Sequence, residues 1–339
     1  MKPGLHVKVL ILKPSSLGDI IHALPVLRLI KQQRPHWEVH WWIAKHFAPI
    51  LEMDRDISAL HYFDRHGWAS LIGISCAIRR VSCMRREQFD VIIDLQGLAR
   101  SAMHGWAVRG DYTLGLDQKR EGAALFYDEA IERPTQDTHA VDWCLAVLPK
   151  LGLKPDGGFE WLPKRPWLTK KLFDHGYDPH CRWVALCPGA RWQSKQWPLD
   201  SYIDLVRIMD DTKTRFVVVG GDEDKVAGER LAKNKRVLDL TGRTTLPELV
   251  EWLRICSVAV TNDTGPMHVA AALNTPVVAL FGPTDPQLTG PYRAKGKVLQ
   301  YQQLDCNPCF KKLCNHFEDR ECLKAITPEE VLAAVGACE

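Results

Sequence analysis

The stretch VAVTNDTGPMHVAAALNTPVVALF, residues 258–281, decides how the rest of the chain is read. Val258–Asn262 is a short apolar run of strand type, and Val277–Phe281 is another. Between them Thr264 or Gly265 caps a helix, Pro266 takes a first-turn position where its missing N–H costs nothing, and Asn274 with Pro276 closes it. Strand, helix and strand in succession make a βαβ unit, which implies a parallel sheet. Open sheets of that kind bind ligands outside the carboxyl ends of their strands. Residues that follow strands therefore carry the functional information.

Outward from this unit the same alternation recurs. In the first half Val7–Leu12, Glu38–Ala44, Ala59–Phe63 and Asp90–Leu95 read as strands, and Gly18–Arg34, Phe47–Met53, Trp68–Glu87 and Leu98–Val108 as helices. In the second half Trp183–Pro188, Arg215–Val219 and Val237–Leu240 read as strands, each followed by a helix, after Pro198, from Glu223 and from Thr245. GLKPDGGFEWLPKRP, residues 152–166, holds three Gly and three Pro and reads as a linker. A length of 339 residues suits two domains, 1–160 and 161–339. Two such halves are expected to face a central cleft.

Composition narrows the function. Hydrophobic residues at 46% and charged residues at 25% are ordinary for a globular chain. Lys plus Arg number 44 against 41 Asp plus Glu, a net charge of +3, which supplies no nucleic-acid footprint. Any bound anion must be held locally. No apolar run approaches the length of a spanning helix, and Val9–Leu12 is too short for a signal segment, so a cytoplasmic protein is expected. Eleven cysteines in a chain of this size are expected to be mostly reduced. Cys306, Cys309, Cys314 and Cys322 follow C-x2-C-x4-C-x7-C, a spacing open to structural zinc but tighter than common zinc folds. No metal is assigned to them. The dinucleotide fingerprint, the P-loop, H-E-x-x-H and the G-x-S-x-G elbow are all missing, which weakens dehydrogenase, P-loop kinase and hydrolase readings.

Three post-strand segments carry candidate chemistry. In KPSSLGDIIHALP, residues 13–25, Ser16 and Asp19 have capping-box spacing, while Gly18 permits close approach to the backbone. Asp19 is thus either a cap or a base. In CPGARWQSKQWP, residues 187–198, Arg191, Ser194 and Lys195 suit a phosphate group, with a solvated basic loop as the bland alternative. At Thr264–Gly265 free backbone N–H groups and the positive end of a helix form an anion seat flanked by Asp263 and His268. His268 also suits a plain core position. On Cys76–Phe89, Arg79, Arg80, Arg85 and Arg86 read either as a docking stretch for anionic head groups or as an ordinary solvated face.

Six segments, taken together and in order, resemble a known family. They are SSLGDIIHALPVLRLIKQQRP, DVIIDLQGLARSA, KREGAALFYDEAI, PGARWQSKQWP, DLTGRTTLPELV and TNDTGPMHVAAALNTPVVALFGPTDP. Over nearly the whole chain they are similar to the family-nine glycosyltransferases, the ADP-heptose:lipopolysaccharide heptosyltransferases. LQGLARSA, KREGAALFY and THAV look most like heptosyltransferase I, and the terminal cysteines look more like the II or III branch.

The resemblance implies an α/β fold of GT-B type, two Rossmann-like doubly wound domains, with acceptor on the first and nucleotide sugar on the second. The last helix is a candidate to return to the first domain. It implies an inverting glycosyltransferase that moves heptose from ADP-heptose to the Kdo or heptose of the lipopolysaccharide inner core, without cofactor or metal. The family's catalytic aspartate falls on Asp19, with Ser15, Ser16 and Gly18 beside the acceptor, and its phosphate-binding lysine on Lys195, beside Arg191 and Ser194. Its diphosphate turn falls on Asp263, Thr264 and Gly265, followed by His268. Asp222 or Glu223 would hold the ribose, the backbone near Thr244 the adenine, and Arg120, Glu121 and His139 the acceptor. A Kdo-lipid A type acceptor implies peripheral contact with the cytosolic face of the inner membrane. A GT-B transferase for another nucleotide sugar and a non-catalytic nucleotide-binding module are the competing readings.

Overall fold

The structure is a computed structural model that describes residues 7–63 and 71–338. It divides into two compact units, Met1–Trp161 and Leu162–Glu339. The first contains β1 (Lys8–Leu12), α1 (Leu17–Gln33), β2 (Glu38–Ala44), β3 (Ala59–Phe63), α2 (Leu71–Arg86), β4 (Phe89–Asp94), α3 (Ala99–Val108), β5 (Gly110–Leu116), β6 (Glu129–Ile131) and α4 (Ala140–Leu145). Its strands pair parallel in the order β3-β2-β1-β4-β5-β6. Val9, Leu10, Ile11 and Leu12 are fully buried, because helices cover both faces of such a sheet and its central strands meet no water. The order reverses between β1 and β4, so the switch point of this unit lies at the ends of those two strands.

The second unit repeats the plan. It contains α5 (Thr169–Asp174), β7 (Arg182–Cys187), α6 (Leu199–Ile208), β8 (Thr214–Val218), α7 (Lys225–Leu231), β9 (Val237–Asp239), α8 (Leu246–Ile255), β10 (Val258–Asn262), α9 (Gly265–Ala272), β11 (Val277–Phe281), α10 (Pro286–Thr289), β12 (Gly296–Gln300), α11 (Glu321–Lys324) and α12 (Pro328–Gly336). All neighbouring strands are parallel, in the order β12-β11-β10-β7-β8-β9, and the switch point falls between β7 and β10. Val331 and Val335 of α12 join a core with Tyr202, Val206 and Phe216. The last helix therefore packs within the second unit.

Several elements differ from expectation. Phe47–Met53 is not a helix of that length. Only Ala48–Ile50 forms a 3-10 turn around Pro49, and Met53 has a left-handed backbone with φ 62°. Trp68–Ser70 of the expected second helix lie outside the described residues. The basic stretch Cys76–Phe89 leaves the helix at Arg86 and ends inside β4. Among the described residues no helix is long and apolar enough to cross a membrane.

Candidate active site

In the first unit, the loop after β1 feeds α1 and brings Asp19 to the switch point. The Ser16 N–H donates to Asp19 Oδ2 at 2.9 Å and the Ser16 hydroxyl to the same oxygen at 2.7 Å. The carboxylate thus caps its own helix. Its Oδ1 lies 4.0 Å from Nζ of Lys13, a buried ammonium that donates to the Leu95 carbonyl at 2.6 Å. The Asp19 side chain stays 46% exposed, open to solvent despite both contacts. Ser15 is half-buried, Ser16 exposed and Gly18 buried. The turn after β4 is built on Asp94, fully buried, whose carboxylate accepts from the N–H groups of Gln96 and Gly97 and from the Tyr127 hydroxyl. Burial pushes the Asp94 carboxyl above the usual carboxylate range, against the pull of these hydrogen bonds. Gly97 has φ +67°, and a Cβ there would sit 2.5 Å from the Leu116 carbonyl oxygen.

His139 caps α4, its Nδ1 accepting from the Val141 N–H at 3.1 Å, and its ring meets His22 of α1 edge-on at 5.5 Å. Burial pushes the neighbouring Cys144 thiol up to about 11, against the fields of Lys13 and Arg133 and with that of Asp19. Those three charges therefore share one neighbourhood. Glu121 lies at the start of α3. It is exposed, and its Oε2 accepts from the Ala99 N–H at 3.1 Å, capping α3. Arg120 lines a cavity of about 400 Å³ with Lys119, Arg133 and Trp143, and the Arg133 guanidinium lies 5.2 Å over the Trp143 ring.

In the second unit, the loop after β7 and the end of β10 meet. Lys195 Nζ lies 2.5 Å from Asp263 Oδ2, and Thr284 donates its hydroxyl to that same oxygen at 2.7 Å. Asp263 is 5% exposed and Lys195 18%, so the pair is largely out of water. Nζ also sits 4.7 Å above the Trp192 ring. Asn262, fully buried, ties the two segments together, accepting from the Trp197 N–H at 3.0 Å and donating to the Pro188 carbonyl at 2.7 Å. Directly after Asp263 come Thr264, in extended backbone, and the start of α9 with Pro266 in its first turn. This is a half-buried helix start beside a fixed ammonium, an arrangement suited to a phosphate group. His268 is buried one turn in.

The 241 residues 78–318 match the model of glycosyltransferase family 9 (heptosyltransferase), well over half of the chain. The chain belongs to that family. Lipopolysaccharide heptosyltransferase 1 of Salmonella typhimurium is 30% identical over 304 residues, which cover 84% of this chain and 92% of the relative. Lipopolysaccharide heptosyltransferase 2 of Escherichia coli (strain K12) is 38% identical over 323 residues, 87% of this chain and 88% of the relative. The structure of E. coli heptosyltransferase WaaC with ADP-2-deoxy-2-fluoro heptose superposes with a TM-score of 0.78 at 22% identity, covering 98% of this chain and 100% of that one. The family 9 chain is a glycosyltransferase of GT-B fold, built from two Rossmann-like doubly wound units.

Not every residue expected at the site of this family 9 enzyme is free for substrate. Ser194 is buried, and its hydroxyl donates to the Lys311 carbonyl at 2.6 Å. Arg191 is exposed. Asp222 pairs with Lys225 at 2.7 Å in a solvated position, and Glu223 is likewise exposed. The carboxylate set into this loop is instead Asp224, raised above its ordinary range by burial, which accepts from the Gly221 N–H at 3.0 Å. A Cβ on Gly189 would lie 2.2 Å from its Oδ1. Thr244 is half-buried, between a solvated turn and the α8 cap at Thr245. Lys13, Arg133, Asp224 and Thr284 were not singled out by sequence. Lys13 follows β1, Arg133 β6, Asp224 β8 and Thr284 β11, each within a few residues, so the strand-end rule could have pointed to all four. The four terminal cysteines are free thiols, and among the described residues no His, Cys, Asp and Glu are gathered to hold a metal ion.

Proposed function

We propose that this enzyme transfers heptose from ADP-heptose to the Kdo or heptose of a lipopolysaccharide inner core, with inversion at the anomeric carbon. The observation that carries this reading is Lys195 fixed 2.5 Å from Asp263 directly before the start of α9. The diphosphate of ADP-heptose lies on the ammonium and on the amides at Thr264–Gly265. As the bond from the anomeric carbon to the diphosphate oxygen breaks, charge grows on ADP and both partners hold it more strongly. The acceptor hydroxyl forms the new bond from the opposite face, and Asp19 takes its proton. That hydroxyl becomes acidic only as its bond forms, so a carboxylate that accepts the proton late suffices.

The Asp263 carboxylate orients Lys195 rather than touching phosphate, since its negative charge faces the ammonium and Thr284. Arg120, Lys119 and Arg133 supply positive charge for the carboxylates of an acidic acceptor sugar, with His139 close to the helix that carries Asp19. The exposed Arg79, Arg80, Arg85 and Arg86 of α2 supply contact with the anionic cytosolic face of the inner membrane. The relatives' names and the donor analogue bound to WaaC support the sugar and its acceptor.

The test is product formation from ADP-heptose and a Kdo-bearing acceptor, alongside melting with ADP, UDP and GDP. Only a nucleotide bound by the folded state raises the midpoint. Stabilisation by UDP or GDP and not ADP moves the reading to another nucleotide sugar, and binding without turnover reduces it to a nucleotide-binding module. Charge reversal of the four arginines is expected to abolish salt-sensitive attachment to anionic vesicles, and unchanged attachment removes the membrane reading.

A further inference from the structure

The loop that carries Lys195 is held from behind by a segment the proposed chemistry does not use. Ser194 donates its hydroxyl to the Lys311 carbonyl at 2.6 Å and its N–H to the Lys312 carbonyl at 3.4 Å. On the other side of Lys195, the Gln196 carbonyl accepts from Arg320 Nη1 at 3.0 Å. The same segment reaches the counter-carboxylate. The Phe310 N–H donates to the Pro283 carbonyl at 2.7 Å, next to Thr284, whose hydroxyl holds Asp263 and whose carbonyl accepts from Gln300. One stretch of chain thus bonds directly on both sides of Lys195 and, at Pro283, beside the residue that holds Asp263. That stretch, residues 301–320, contains neither helix nor strand. A run of this length without regular structure is uncommon inside a compact unit and is usually either functional or a linker; the hydrogen bonds to both sides of Lys195 mark this one as built into the unit.

We propose that residues 305–320 form a strap that positions Lys195 for the donor diphosphate, with Ser194 and Arg320 as positioning residues. The strap rests on the reading of Lys195 as the diphosphate partner. The lysine stem is long and flexible, so an ammonium held only at its tip would have to be ordered when the donor binds. Fixing the backbone on both sides of Lys195 moves that ordering to the folding step. The interaction then waits in place for the charge that develops on the leaving group.

The experiment is a double-mutant cycle on the full chain, read by calorimetric titration of ADP and by kcat and KM for the donor. Ser194→Ala and Arg320→Gln are each expected to weaken ADP binding by about 5-fold, the worth of one hydrogen bond. In a Lys195→Ala background the same substitutions are expected to change ADP affinity by less than about 2-fold, because they act through the missing ammonium. Ser194→Thr, which keeps the hydroxyl, restores the affinity. Equal losses in both backgrounds overturn the strap and leave Ser194 and Arg320 as fold-stabilising residues only. Arg320→Gln, at the rim, decides the matter should Ser194→Ala not fold. Wild-type ADP affinity in Lys195→Ala alone overturns the diphosphate reading itself, a failure separate from that of the strap.

Discussion

Replacing Lys195 by methionine keeps most of the stem's volume and removes the charge. Two consequences follow from the geometry. An ammonium about 4 Å from one unit of leaving-group charge contributes about 4 kcal/mol at an effective dielectric near 20, and loss of one preorganised electrostatic partner costs about 10²–10³ in kcat. The second consequence concerns Asp263, which is 5% exposed and is left with the Thr284 hydroxyl on its Oδ2. Its uncompensated charge then lies directly before the diphosphate seat and repels the donor. Lys195→Met is therefore expected to lose about 10²–10³ in single-turnover heptose transfer. Calorimetric titration is expected to show ADP bound more weakly as well. Lys195→Met with Asp263→Asn should recover part of the ADP affinity, because the asparagine carries no repelling charge and still accepts from Thr284. Near-wild-type turnover and ADP affinity in Lys195→Met would refute the leaving-group role, and a double variant binding ADP no better than the single one would refute the repulsion argument.

Asp19→Asn retains an oxygen for the Ser16 N–H, so its melting midpoint and ADP affinity should match wild type while kcat falls by about 10²–10⁴; undiminished turnover would return Asp19 to being a helix cap alone. Gly189→Ala drives a Cβ to 2.2 Å from Asp224 Oδ1 and should destabilise the second unit by about 1–3 kcal/mol, and an unshifted urea midpoint would contradict the packing described. His61 and His104 are held down to about 4, first by burial and then, for His61, by the field of His40 and, for His104, by that of His61. From the ordinary value of 6.5 down to about 4 the unfolded chain binds more protons, so both histidines contribute stability that is complete above 6.5 and is lost as pH falls through that window. His104→Phe preserves the stack on Trp42 and should show a smaller drop in melting midpoint on acidification; an equal drop would assign the acid sensitivity elsewhere.

The strands nearest each switch point were legible because a parallel strand buried on both faces must be an uninterrupted apolar run, as Val9–Leu12 and Val258–Val260 are. The edges were not. β6 has three residues and β12 begins with three exposed positions, so neither shows such a run. α4 escaped notice because its cap is a histidine, and Phe47–Met53 was over-read because its apolar spacing hid the break at Pro49. At the site, the two readings of Asp19 prove to be compatible. One carboxylate oxygen takes the cap while the other faces Lys13. Ser194 was placed beside the phosphate by its neighbours in sequence, yet its hydroxyl points to Lys311, 117 positions away. The acid turned inward in the GGDED turn, half-buried, is Asp224 and not the two exposed ones before it, a choice fixed by how the turn winds against Gly189 and Gly220. Contacts of this separation leave no periodic trace in a single sequence.

The pairing of Lys195 with Asp263 also bears on why the seat would favour turnover over tight donor binding. A lysine already neutralised by a carboxylate 2.5 Å away attracts a resting diphosphate less than a lone lysine would. Its attraction increases as the bond to the sugar breaks and charge accumulates on the departing phosphate. An interaction that strengthens along that coordinate raises kcat, whereas one at full strength in the ground state would only lower KM. On this argument Asp263→Asn alone, which frees the ammonium, should tighten ADP binding while leaving kcat no higher than wild type. A variant that bound ADP more weakly would mean instead that the carboxylate's main service is to aim the lysine.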